Sequence, residues 1–219
     1  MIFGQDVSLY VKAIQETLFM TLMSSFVSYL IGIPLGVMLY ATDKDGLTPN
    51  AVIYNIMSVI VNLFRSIPFL ILLILVIPVT RAMVGTSIGS KAVIPPLVFS
   101  ASPYIARMVE SSLKEVDLGV IEAAKSMGAT NFQIIKKVLL KESRPSLLIG
   151  AAISITTILG YSAMAGAVGG GGLGDVAIRF GYYRYNTDIM IITVVLLVII
   201  VQVIQEIFMR MARKSDKRL

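Results

Sequence analysis

The sequence predicts an all-α integral membrane protein with five transmembrane helices, its N-terminus outside and its C-terminus inside the cell. Hydrophobic residues make up 56% of the 219 residues, and the mean hydropathy is +0.84. Charged residues make up only 15%, whereas a soluble domain carries about 25%. Five long apolar segments follow one another along the chain, and lipid is the solvent that suits them.

The apolar segments predict spans at about 15–42, 56–80, 92–113, 146–168 and 188–210. The first contains 26 uncharged residues from Thr17 to Thr42, which is too long for the apolar core of a signal peptide. The second is interrupted only by Arg65, and the third ends near Arg107 but extends to about residue 113. The fourth has no charge, and the fifth is rich in Val and Ile. Helix is the default for both because the backbone must bond to itself in lipid. The whole chain, 1–219, reads as one membrane domain.

Helix-breaking residues lie inside the predicted spans. They are Pro34, Pro68, Pro78, Pro95, Pro96 and Pro103. Membrane helices tolerate such kinks where neighbouring groups satisfy the freed carbonyls. Gly32 and Gly36 are four residues apart, a spacing that lets another helix approach closely. Packing alone accounts for each residue singly, but their number predicts a bundle that bends or moves.

The distribution of Lys and Arg predicts the orientation, because cytoplasmic loops carry the excess of positive charge. The loop between spans three and four carries seven, the C-terminal tail carries five, and Lys44 adds one, which makes 13 on one side. The opposite side carries five, and Arg65 lies within a span. With five spans, the richer side is cytoplasmic only if the N-terminus is outside.

The composition argues against several functions. The sequence has no Cys and no His, so disulfides, thiol catalysis, typical zinc sites and histidine acid–base chemistry are not expected. Its net charge is +6, but the charges lie between apolar segments, where headgroups and topology account for them better than nucleic acid. No clustered carboxylates lie within a predicted span, so neither an enzyme site nor an ion-gradient relay is predicted. Glu110, Asp188 and Glu206 lie near the ends of predicted spans, and Glu16 just precedes the uncharged stretch that begins at Thr17.

The loop at 116–145 is too polar to span the membrane and is patterned as two short helices. Asp117 is a good N-cap for the first helix, and Gly128 is a good residue to end it. Thr130 and Gln133 have the spacing of a capping box for the second. Such a hairpin is either a docking element for another protein or an amphipathic segment resting on headgroups. The residues alone favour both interpretations equally.

The first of these helices resembles a family signature. Residues 122–128, Glu-Ala-Ala-Lys-Ser-Met-Gly, resemble the EAA motif of bacterial ABC-importer permeases, which closes nine residues later on Ile-x-Leu-Pro. Here the closing positions are 138–141, Val-Leu-Leu-Lys, so Lys141 stands where the family has Pro. The triplet, the spaced glycine, the apolar close and the position between two spans together make the resemblance specific.

The resemblance implies a mechanism for the loop. In that family it forms a coupling helix that docks into a separate cytoplasmic ATPase. Ala123 and Ala124 would allow close approach, Gly128 would make the turn, and Glu122 would carry a polar contact. This chain would bind no cofactor and would not itself be an enzyme; ATP and Mg would be bound by the ATPase. The sequence has no phosphate-binding Gly-x-x-x-x-Gly-Lys-Ser/Thr motif, in agreement with a separate motor.

A glycine-rich segment follows the fourth span, with seven glycines between Gly160 and Gly174. Gly169, Gly171 and Gly174 match Gly-x-Gly-x-x-Gly, but the motif binds nucleotides only after a strand in a βαβ unit, so we reject that interpretation. Two alternatives remain, a flexible exit loop or a surface that moves with a gate and meets an external solute receptor. The aromatic residues near 182–185 fit either a receptor contact or a membrane belt.

Longer stretches resemble the methionine-importer branch of the same family, namely 160–168, 171–174, 181–182, 65–69 and 85–89. This resemblance covers nearly the whole chain. It implies a homodimer of permeases in the cell membrane, two cytoplasmic ATPase subunits, and an external lipoprotein that delivers methionine. The alternatives are a permease for another amino acid or small organic solute, and, further away, a secondary transporter driven by an ion gradient. A pore on a two-fold axis would be lined by spans three and four, with span two as a further candidate.

Within that pore, Tyr161, Ser162 and Met164 are predicted to form the constriction. Methionine is flexible and can seal the path or admit a thioether. Ordinary helix packing accounts for each of the three equally well. Arg65 is a functional candidate because it lies inside a predicted span, although snorkelling to cytoplasmic headgroups is the favoured interpretation.

Overall fold

The computed structural model describes residues 7–216, and all regular structure in that range is helical. The α-helices are α1 Val7–Thr42, α2 Ala51–Ser66, α3 Phe69–Leu75, α4 Ile77–Val84, α5 Ser90–Lys114, α6 Leu118–Ser126, α7 Asn131–Ile134, α8 Leu140–Glu142, α9 Arg144–Ala165, α10 Gly172–Val176 and α11 Thr187–Ser215. Short π-helical segments, Ile135–Leu139 and Ala177–Tyr182, precede α8 and follow α10, and a 3₁₀ turn, Gly166–Val168, extends α9.

Four helices in the described range are long and apolar enough to cross a membrane: α1, α5, α9 with its 3₁₀ extension, and α11. A fifth crossing is possible if α2 and α3, which meet at a bend of 101°, form one broken span. α1 begins at Val7, eight residues before the predicted start at about 15. α11 runs five residues beyond the predicted end at 210.

The segment predicted as the second span, 56–80, is not a continuous helix. It is divided into α2, α3 and α4, with breaks at Ile67–Pro68 and at Val76. Proline lacks an amide donor, and it pushes the residue before it into extended backbone; Ile67 has φ −82° and ψ 123°. Pro78 lies in the first turn of α4, where its missing donor is no loss.

α1 packs lengthwise on α5 through small residues. A Cβ atom on Gly32 would lie 2.6 Å from Cγ2 of Ile105, and one on Gly36 would lie 2.6 Å from the Ala106 carbonyl oxygen. The close approach predicted from the Gly-x-x-x-Gly spacing is therefore confirmed. Buried hydroxyl residues continue the same packing surface toward the N-terminus of α1: Thr17, Thr21, Ser24, Ser25 and Ser28.

The main core runs from the N-terminal half of α5 to the hairpin at 116–145. Its fully buried members include Leu97, Ile105 and Leu113 of α5 and Ile158 of α9. α11, in contrast, leaves most of its apolar side chains exposed. Exposed apolar surface of this extent needs lipid or another protein against it. α11 therefore lies at the periphery of the helix bundle in the single chain.

The predicted capping of the loop at 116–145 is confirmed. The Asp117 carboxylate accepts a hydrogen bond of 2.7 Å from the Gly119 amide at the start of α6. Gly128 has φ +78° just after α6, a left-handed backbone that favours glycine. Thr130 and Gln133 form a reciprocal capping box at α7. The second helix of the hairpin is irregular, because a π-helical turn separates α7 from α8.

Candidate functional site

The hairpin formed by α6, α7 and the turn between them exposes large apolar side chains. Leu118 is 62% exposed, Met127 is 81% exposed and Phe132 is 70% exposed. Glu122 and Ala123 are exposed on the same short segment. We call these five residues the hairpin surface. Exposed apolar groups in an otherwise polar loop indicate a contact site for another molecule.

The predicted coupling residues divide between two sides of the hairpin. Ala124 is only 5% exposed and packs into the main core, so its small side chain lets α6 lie close to its own chain. Gly128 makes the turn, and a Cβ atom there would meet nothing within 4 Å. Sequence reasoning missed Met127 and Phe132. The signal available was two large apolar residues flanking the glycine turn of a polar loop.

A buried ionic cluster lies at the end of α5 directly before the hairpin. The Glu110 side chain is 4% exposed, and its carboxylate pairs with Arg107 Nη1 at 2.7 Å and with Lys114 Nζ at 2.8 Å. The Tyr54 hydroxyl of α2 donates to the same carboxylate at 3.2 Å. Lys114 Nζ also lies 2.6 Å from the Asp43 carboxylate in the loop after α1.

Arg107 extends this cluster to α2. Its Nη2 donates to the Ser58 hydroxyl and, at 3.3 Å, to the Asn62 side-chain oxygen. The cluster therefore links α5 to both α2 and the α1–α2 loop through ion pairs and hydrogen bonds. It lies at the C-terminal end of α5, next to the hairpin. Because Glu110 is held by two cations and a hydroxyl, it does not resemble a carboxylate free to exchange protons or sodium.

We expect Asp43→Asn to weaken this tie while Asp45→Asn leaves it intact. Asp45 lies in the same loop, but its side chain is 74% exposed and its only ion pair in the described range is with the exposed Lys44. Loss of the Asp43–Lys114 pair should lower the unfolding free energy by about 1 kcal/mol, because Lys114 is itself partly exposed. The thermal midpoint should fall by about 2–4 °C in detergent. Equal midpoints for the two variants would contradict this role.

The same pair predicts a pH dependence. The hydrogen bond from Lys114 lowers the pKa of Asp43 below its ordinary value. A carboxyl group with a lowered folded-state pKa contributes stability above its unfolded pKa, and that contribution is lost as the pH falls through the folded value. The stability difference between wild type and Asp43→Asn should therefore be complete at pH 7 and shrink below about pH 4.

The three predicted constriction residues lie near the C-terminal end of α9 but do not share one surface. The Tyr161 ring stacks on Phe69 of α3, with centroids 4.6 Å apart and planes 4° apart. Ser162 is fully buried, and its hydroxyl donates to the Leu159 carbonyl at 2.7 Å. Met164 is 42% exposed. The bend at Pro68 thus places an aromatic partner against α9.

The glycine-rich segment is packed rather than loose. The Gly172 amide donates to the Glu16 carboxylate at 2.8 Å, and the Leu173 amide donates to the Thr17 hydroxyl at 2.9 Å. All residues of α10 are buried, and the backbone of Gly174 contacts that of Ala163 so closely that a Cβ atom would collide. This packing argues against the alternative of a flexible exit loop, because α1 caps the segment and α9 packs on it.

The aromatic segment after it remains exposed. Tyr182 and Tyr183 are each 64% exposed, and Tyr185 is 93% exposed with φ +53°. The Arg184 guanidinium lies over the Phe180 ring, 4.6 Å from its centroid. These rings suit both a membrane belt and a protein contact, so both interpretations of the segment stay open.

Comparison with known proteins gives a consistent match. Residues 32–219 match the family described as binding-protein-dependent transport system inner membrane component. A probable D-methionine transport system permease protein MetI of Vibrio cholerae is 49% identical over 216 residues, which cover 99% of this chain and 96% of that protein. The D-methionine transport system permease protein MetI of Escherichia coli is 52% identical over 158 residues, which cover 72% of this chain and 73% of that protein.

A solved structure gives the same result for the fold. A chain in a crystal structure of the MetNI methionine ABC transporter, in inward facing conformations, superposes with a TM-score of 0.94 at 50% identity. The match covers 96% of this chain and 98% of that one. A chain of an amino acid ABC transporter crystallised with histidines superposes with a TM-score of 0.77 at 21% identity, which shows a shared fold alone.

Proposed function

The chain belongs to the family of binding-protein-dependent transport system inner membrane components, and we propose that it is the permease subunit of an ATP-driven methionine importer. The observation that carries the proposal is its 49% identity, over nearly its whole length, to a methionine permease. Family membership and the apolar helices make it a multi-pass protein of the inner membrane, as its sequence predicts.

The hairpin surface is proposed to dock into a cytoplasmic ATPase subunit, which binds ATP and Mg and hydrolyses ATP. Met127 and Phe132 supply apolar contact area, while Glu122 and Ala123 provide a polar contact and close approach. The ionic cluster of Glu110 then passes movement of the hairpin to α5, α2 and the loop after α1. Permease movement would follow ATP binding because the two ATPase states hold the hairpin differently.

Five spans are proposed, with α2, α3 and α4 as one broken span, the N-terminus outside and the C-terminus inside. The excess of Lys and Arg around the hairpin and in the tail supports this orientation. A homodimer would place α5 and α9 of each copy around the transport path. Tyr161, stacked on Phe69, and Met164, partly exposed, are proposed as gate residues. Buried Ser162 would instead hold the gate end of α9 in place.

Methionine is the substrate that the likeness to MetI proteins favours. An external solute-binding lipoprotein would deliver it to the outer face. A permease for another amino acid or small organic solute is the alternative within this family. The paired state of Glu110 gives no support to a secondary transporter driven by ions.

Reconstitution tests the proposal. Proteoliposomes that contain the chain, its ATPase subunits and the external lipoprotein should accumulate radiolabelled methionine. They should do so only when ATP is present on the side of the membrane that carries the ATPase subunits. Unlabelled L- and D-methionine should compete, which also defines the stereochemical preference. Vesicles without the ATPase are the control. Uptake by the chain alone, or uptake that a proton or sodium gradient drives without nucleotide, would refute the assignment.

A further inference from the structure

A concavity of about 360 Å³ opens between α2, α5 and α9 on the inner half of the bundle. Arg65 lines it from α2, Tyr104 and Met108 line it from α5, and Ile149 and Ile153 line it from α9. Volumes of 300–1,000 Å³ are typical of sites for small organic ligands. The concavity is therefore large enough for one amino acid.

Two cations, Arg65 and Arg107, and one carboxylate, that of Glu115, also belong to the lining of the concavity. The two cations differ in their hydrogen-bond partners. Arg107, at one side of the concavity, is committed to Glu110 and to the polar side chains of α2. The Arg65 side chain is exposed and makes no hydrogen bond or ion pair with any residue in the range 7–216. Arg65 lies in the last turn of α2, where the helix dipole favours a positive charge. The five N–H donors of its guanidinium remain free. A guanidinium with free donors beside apolar walls is suited to an anion.

The surroundings of Arg65 narrow the choice of anion. Guanidinium binds carboxylates through two parallel hydrogen bonds, which fixes their orientation as well as their charge. The wall formed by Met108, Ile149 and Ile153 is apolar and, at the thioether of Met108, adaptable. We propose that this concavity binds the carboxylate of an amino acid at Arg65 and its apolar side chain against that wall. The inference rests on the proposed function, and it names the last site that the solute occupies before release inside.

The test measures binding of radiolabelled methionine to the purified permease–ATPase complex in lipid nanodiscs, without nucleotide and without the external lipoprotein. ATPase subunits alone give the baseline to subtract. Arg65→Gln should weaken binding about 10- to 100-fold, as expected for loss of a charge-assisted pair. Arg65→Lys should recover part of the loss. Arg81→Gln, which removes an exposed arginine outside the concavity, should bind as wild type does.

Two further measurements keep a folding defect from imitating the result. Ile153 is 53% exposed, so Ile153→Asp removes little packing within the chain. The fraction of this variant that assembles in nanodiscs should repel the carboxylate and bind methionine at least tenfold more weakly than the wild type. The decarboxylated amine analogue of methionine should bind wild type weakly and be insensitive to Arg65→Gln.

Equal affinities of wild type and Arg65→Gln would overturn the site, while ATP-driven uptake by the wild type would still stand. Absence of methionine binding above the ATPase baseline would overturn it equally. Failure of the proposed function would be seen separately, as wild-type vesicles that import no methionine with ATP.

Discussion

A chain in which Met127 and Phe132 are both replaced by aspartate is expected to lose ATP-driven uptake by at least about tenfold while remaining folded in the membrane. Both side chains are exposed, at 81% and 70%, so their replacement removes no packing within the chain. At a protein interface, however, a buried apolar anchor contributes about 2 kcal/mol or more. A carboxylate placed at the same position in the interface with the ATPase adds a desolvation cost. Uptake should fall because the ATPase no longer holds the hairpin.

Three measurements separate this effect from misfolding. The amount of variant in the membrane and its thermal midpoint should match the wild type. Co-purification of the ATPase subunits should decrease, and so should uptake. Lys125→Gln is the matched control, because the Lys125 side chain is exposed on the same short helix and has no partner among the described residues. Full uptake by the aspartate variant would show that this surface does not face the ATPase.

The local features of the hairpin could be predicted because each depends on residues a few positions apart. Asp117 caps an amide two residues on, and Thr130 and Gln133 cap each other across three. Gly128 needs only its own backbone angle. The membrane class is equally local, since it follows from the length of apolar runs. These features can be predicted because neighbouring residues in the sequence determine them.

Contacts between distant positions could not be predicted in the same way. Lys114 meets Asp43 across 71 positions, and Glu16 meets Gly172 across 156. Nothing in either local sequence marks the partner. The sequence therefore predicts the glycine-rich segment only as a flexible exit loop or as a surface that moves with a gate and meets a receptor. It gives no sign that α1 supplies the acceptors that hold this segment in place.

Proline shows the same limit within single helices. Pro68 ends α2 with a bend of 101°, whereas Pro34 lies inside α1 and the chain continues as a helix. Both remove one amide donor. Ring stacking of Phe69 on Tyr161 adds a tertiary contact directly after the bend, and α1 instead packs lengthwise on α5. Tertiary packing, rather than the proline itself, distinguishes a break from a tolerated kink.

Gly36→Leu is expected to prevent stable folding, whereas Gly160→Leu should be tolerated, although the two changes add the same atoms. At Gly36 a Cβ atom alone would lie 2.6 Å from the Ala106 carbonyl oxygen and 2.6 Å from Cβ of Val109. The carbonyl belongs to the backbone of α5, so the strain is relieved only if the two helices separate. Such separation costs more than the 1–3 kcal/mol typical of overpacking that flexible side chains absorb, and it opens a gap along the most extensive helix contact of the bundle.

At Gly160 a Cβ atom meets nothing within 4 Å, and leucine is the better helix former. Detergent-solubilised Gly160→Leu should therefore melt at or above the wild-type temperature. Gly36→Leu should be recovered only as aggregated or proteolysed chain, and Gly36→Ala should lie between them. Because all three readouts concern the single chain's own packing, they test the α1–α5 contact whether or not transport is intact. Equal midpoints for Gly36→Leu and Gly160→Leu would mean that α1 does not rest on α5 through this glycine.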